Sequence, residues 1–138
     1  MNYIKNLVNP AFKFLILSIA TILFFSATHA LAEDDTETEF LKSAFSGNNQ
    51  AIEQLLEKGV NVNYQNEKGF SALMVASQYG HADIVDLLLK NNATVDLKNA
   101  GDATALILAA KNGHAGIVSA LLAKGAQINT QTVDGITA

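Results

Sequence analysis

Residues 69–101 and 102–134 align at a fixed offset of 33 without an insertion, and eleven positions are identical. The pairs are Ala72/Ala105, Leu73/Leu106, Ala76/Ala109, Gly80/Gly113, His81/His114, Ala82/Ala115, Ile84/Ile117, Val85/Val118, Leu88/Leu121, Leu89/Leu122 and Ala93/Ala126. A weaker copy lies 33 residues earlier, carried by Phe40, Gly47, Ile52, Leu55, Leu56, Val60, Val62 and Asn63. Shifting forward reaches Gly135, Thr137 and Ala138. A period of this length confines a chain to stacked supersecondary units, because one unit cannot bury its apolar face alone.

The residues of one unit define its elements. Ser71 or Thr104 is placed to cap a short helix by accepting hydrogen bonds from its unpaired N–H groups. Leu73, Ala76 and Ser77, with Leu106, Ala109 and Ala110 one repeat on, form a narrow face of small residues that lets helices approach closely. Gly80 and Gly113 end that helix, since glycine takes the left-handed conformation without strain. In the second helix Ile84, Val85, Leu88 and Leu89 fall on one stripe. Gly59, Asn92 and Gly125 stand at its end, Asn being the next best residue there. The polar links "VNVNYQNEKG" and "ATVDLKNAGD" read as extended turn fingers.

The stretches "GFSALMVASQYGHADIVDLLLKNNATVD" and "DATALILAAKNGHAGIVSALLAKGAQIN" resemble the ankyrin repeat. The resemblance implies an all-α solenoid of paired antiparallel helices with β-turn fingers. About three repeats are expected, near 36–68, 69–101 and 102–134, with 135–138 starting a fourth. Three departures stand out. The proline of the family's helix start is Ala72 and Ala105, its first histidine is Met74 and Ile107, and the finger glycine is Asp102 in the third copy, where a different turn is expected. "DGITA" restarts the pattern without the core leucine that should follow, so a continuing array or an unsealed last unit is expected.

His81 and His114 precede the second helices and invite a metal reading. Equivalent residues of stacked helices, however, project in parallel about 8–10 Å apart. Zinc ligands must converge to about 2.0–2.1 Å from one ion. Asn48 takes the position in the first copy, and neither Cys nor a His-Glu-x-x-His pattern occurs. The histidines are therefore expected to be structural, closing the turn between two helices. "GFSAL" lacks the second glycine of a nucleophile elbow, and no Gly-x-x-x-x-Gly-Lys phosphate loop is present. Asp83/Asp86 and Glu53/Glu57 read as solvated helix faces. No enzymatic activity, cofactor or metal is expected.

The first 32 residues place Lys5 and Lys13 before an apolar run, 14–27, followed by Ala30-Leu31-Ala32. This is the pattern of a cleaved signal peptide, and the run is short against the roughly 20 residues of a membrane span. An uncleaved anchor over 14–31 is the alternative. An acidic leader, 33–37, and a repeat domain, 38–138, are expected to follow. Residues 33–138 hold seven Lys, no Arg and thirteen Asp and Glu, a formal charge of −6. Without a basic patch, nucleic acid is not an expected partner. Without cysteine, no disulfide contributes.

The resemblance implies a non-enzymatic protein-protein interaction module, and the signal pattern leads to the expectation that it is periplasmic or secreted. The alternatives are a secreted effector that binds a host or neighbouring-cell protein, and a membrane-tethered scaffold. Family partners meet the finger tips and the exposed side of the first helix. The matching positions are Phe45, Ser46, Glu67, Lys68, Phe70, Gln78, Tyr79, Ala103, Lys111 and Asn112. Phe45, Phe70 and Tyr79 are candidate aromatic anchors, of the kind enriched at interface hot spots; Phe45 and Phe70 have core packing as their alternative.

Overall fold

The computed structural model describes residues 35–138. The apolar run and the cleavage motif fall in 1–34 and lie outside the described residues. Six helices follow one another: α1 (residues 35–46), α2 (Asn49–Glu57), α3 (Ala72–Tyr79), α4 (Ala82–Lys90), α5 (Ala105–Lys111) and α6 (Ala115–Ala123). Among the described residues there is no strand, only an isolated bridge between Gln65 and Ser71. Each helix pair is one repeat, and the three pairs stack, with α3 against α5 and α4 against both α2 and α6. This is the all-α repeat solenoid that the resemblance implies.

The local signals act as expected at most ends. Ser71 Oγ accepts from Met74 N–H and Thr104 Oγ1 from Ile107 N–H, each at 3.4 Å. Asn48 Oδ1 does the same for Ala51 at 3.1 Å. Asn92 and Asp102 are the described non-glycine residues with positive φ, at 61° and 58°. Asp102 thus adopts the conformation of the glycine it replaces, and the third finger keeps the turn of the second. In both, the finger's asparagine carboxamide oxygen accepts two N–H groups: Asn66 from Lys68 and Phe70, Asn99 from Gly101 and Ala103. Residues 35–37, expected as part of an acidic leader, are helical and belong to α1.

The core runs through the stack between the helix layers. Phe40, Ile52, Leu73, Met74, Ile84, Leu88, Leu106 and Leu121 are its largest fully enclosed apolar side chains. Met74 and Ile107 occupy the family's first-histidine position and are buried, so apolar packing replaces a polar contact there. Leu89 is 6% exposed under the next repeat, whereas its equivalent Leu122 is 39% exposed.

Polar bonds repeat at both junctions between units. Asn63 Oδ1 accepts from Thr94 N–H at 2.8 Å, and Asp96 Oδ1 from Gln127 N–H at 2.9 Å. Finger tips join through Ala100 N–H to the Lys68 carbonyl (3.0 Å) and Val133 N–H to the Gly101 carbonyl (3.1 Å). The histidines complete the set and correct one expectation. Neither ring bonds to its own helix start. Instead, His81 Nε2 donates to the Phe45 carbonyl at 3.0 Å and His114 Nε2 to the Gln78 carbonyl at 3.2 Å. Each histidine fastens its repeat to the one before. The glycine of the preceding repeat makes room: a Cβ on Gly47 would lie 2.8 Å from His81 Cε1, and one on Gly80 would lie 2.6 Å from His114 Cε1.

Candidate functional site

The ends of α1 and α3 meet through Phe45 and Tyr79, and α5 packs beside α3. Phe45 lies in the last turn of α1 and Tyr79 ends α3. Their rings meet edge to face, with centroids 4.6 Å apart and planes at 74°. The geometry suits the ring quadrupoles. Both remain open to solvent, Phe45 at 56% and Tyr79 at 48% exposure. Two residues that flank the Gly80 turn therefore grip Phe45: Tyr79 holds its ring and His81 its carbonyl. The pair is an apolar platform fixed to two repeats at once.

The other expected positions divide. Lys111 is exposed, and so is Asn112, whose Nδ2 donates to the Leu108 carbonyl at 2.8 Å and secures the end of α5. Ser46 is exposed and its hydroxyl turns back to the Ser43 carbonyl at 3.3 Å. Glu67 and Lys68 are exposed at a finger tip, while Gln78 is half-buried beneath the histidine of the next repeat. Phe70 is half-buried against the core, so it serves packing more than contact. Ala103 is corrected: at 9% exposure, with its N–H given to Asn99 Oδ1, it offers a partner nothing.

One residue of this face escaped the sequence reading. Lys42 is exposed on α1, three residues before Phe45, and so a neighbour on the helix surface. Its signal was available: the equivalent positions hold half-buried Val75 and Leu108, so the column borders the face. Asn63 and Asp96 were likewise legible as polar residues at the period, without their junction role.

Chemistry is less well provided. A shallow groove on the other side of the Gly80 turn is lined by Gly47, Asn49, Gly80, His81, Ala82, Asp83 and Ile84. It holds no Ser, Thr or Cys beside its histidine, and that histidine's Nε2 is engaged with Phe45. Among the described residues no group of three His, Cys, Asp or Glu side chains is placed to hold a metal ion.

Comparison with known proteins agrees with the fold. The family described as ankyrin repeats (3 copies) matches residues 40–132, most of the chain. An ankyrin repeat protein of Pseudomonas aeruginosa is 50% identical over 56 residues, covering 37% of this chain and 33% of that protein. The chain thus matches about one third of that relative's length. Repeat period, helix pairing, capping and family match converge on one assignment: the chain belongs to the ankyrin-repeat family.

Proposed function

We propose that this is an exported, non-enzymatic protein-interaction module whose contact face is built on the first helices and finger tips. The observation that carries the reading is the exposed Phe45–Tyr79 pair. Two aromatic rings held by their own contacts lose little conformational freedom on binding, which is the property of a hot spot. The family supports a protein partner. Export is supported by the amino-acid pattern of residues 1–32; sequencing the N-terminus of the mature protein should give a start near Glu33, and a start at Met1 would refute cleavage.

A photo-crosslinking residue at position 79 should capture a protein in the producing cells or their medium, and one at position 53 on α2 should not. Tyr79→Ala should weaken that partner's binding by about 1–3 kcal/mol with the thermal unfolding curve unchanged. Equal capture at both positions, or a fall in melting temperature without a fall in affinity, refutes the assigned face.

A further inference from the structure

We propose that the partner segment this face takes is acidic and brings an apolar side chain onto the Phe45–Tyr79 pair. This rests on the face assigned above and adds the chemistry of its occupant. Residues 33–138 are acidic overall, with thirteen carboxylates against seven lysines. The fold does not spread them evenly. Residues 40–46 and helices α3 and α5 contain no Asp or Glu, and the exposed charges there are Lys42 and Lys111. The fingers add Glu67 and Lys68, exposed at one tip, and Lys98 with Asp102, whose side chains stand 4.0 Å apart and half exposed. The stretch 40–46 with α3 and α5 thus carries two exposed lysines and no carboxylate, whereas the fingers balance Lys68 and Lys98 with Glu67, Asp96, Asp102 and Asp134.

The second helices carry exposed acids as well. Glu53 and Glu57 are exposed on α2, and Asp83 and Asp86 on α4. Asp83 belongs to the groove across the Gly80 turn. A basic segment would be drawn to the second helices, not to the aromatic pair. An acidic segment is repelled by the chain as a whole and finds local attraction where the apolar platform is. Such an arrangement selects orientation and excludes wrong docking more than it adds affinity.

The charges also give the segment a direction. Glu39 precedes Phe45 by six residues on α1, about 9 Å along the axis, and Asp35 and Glu37 lie further back. Acidic residues of the partner are turned away from that end. The favourable path leads from Lys42 and the aromatic pair across Gln78 to Lys111.

The test is selection from a displayed library of random peptides about 12 residues long on the purified chain at low salt. Enriched peptides should combine Asp or Glu with Leu, Met, Phe or Trp. Their affinity should fall about tenfold or more when 0.3 M salt screens exposed charges. Lys42→Glu with Lys111→Glu should lower it by a similar factor, and Lys42→Gln with Lys111→Gln by less. Thermal unfolding of each variant reports whether the stack is intact.

The outcomes separate the two readings. Peptides that lose binding with Phe45→Ala or Tyr79→Ala but are basic or uncharged overturn the acidic partner and leave the face standing. Acidic peptides indifferent to the lysine reversal overturn it too, as does a selection without enrichment. Peptides indifferent to both aromatic substitutions refute the face itself.

Discussion

Gly80→Ala and Gly113→Ala form an informative pair of substitutions. Both glycines have positive φ, 79° and 75°, so alanine pays the same backbone penalty at each, about 1–2 kcal/mol. They differ in what surrounds them. A Cβ at Gly80 would lie 2.6, 3.0 and 3.1 Å from Cε1, Nδ1 and Nε2 of His114, while one at Gly113 meets nothing within 4 Å. The obstructed group is a side-chain ring, which can swing away, so the extra cost is the His114–Gln78 bond and its packing. A hydrogen bond contributes about 0.5–1.5 kcal/mol net. Gly113→Ala should therefore cost about 1–2 kcal/mol and Gly80→Ala about 1.5–3.5 kcal/mol once the lost bond is added. Urea unfolding of both variants measures the difference. Repeating Gly80→Ala in a His114→Ala background should bring its cost down to that of Gly113→Ala. Equal costs in the parent chain, or an excess that survives removal of His114, would refute the claim that this glycine is kept for the ring.

Three further substitutions test other contacts. Leu88→Ala empties a fully enclosed site and should cost about 2–5 kcal/mol; an unchanged unfolding curve contradicts the stacked core. Ser77 Oγ is buried without a hydrogen-bond partner, and removing such a group recovers about 1–3 kcal/mol of desolvation, so Ser77→Ala should raise the melting temperature. A fall there means that the hydroxyl has a partner. Asp102→Gly should stabilise by about 0.5–1 kcal/mol, since the position has φ 58° and the exposed Lys98 pair it gives up is worth little. A net loss in urea would show the ion pair to outweigh the backbone strain.

The helix boundaries and core were legible because they depend on residues close in sequence or on the period. Ser71, Thr104 and Gly80 act within their own turns, and Leu73, Leu88 and their equivalents repeat at 33. What escaped lies off the period. The His81–Phe45 bond spans 36 residues and the Phe45–Tyr79 contact spans 34. Alignment at 33 sets Phe45 beside Gln78 and Tyr79 beside Ser46; it states which residues are equivalent, not which ones touch. The aromatic contact is diagonal, and its partners occupy different columns. Ala103 was misplaced for a related reason: a column that holds Phe70 in one copy gave no measure of how closely the finger folds over alanine in the next. Helical structure at 35–37 was missed because acidic residues also read as solvated leader.

The joint between a glycine of one repeat and the histidine of the next changes what counts as a heritable module. A gene segment cut at a finger carries the glycine for its successor and the histidine for its predecessor, but not the complement of either. Duplicating such a segment next to itself reproduces both halves of the joint, because each copy supplies what its neighbour lacks. Moving it beside a repeat with Asn48 at the histidine position leaves one space unfilled. Tandem duplication is therefore the permissive route by which an array of this kind lengthens. Splicing in a foreign repeat has to bring a matching ring or tolerate a gap at the seam.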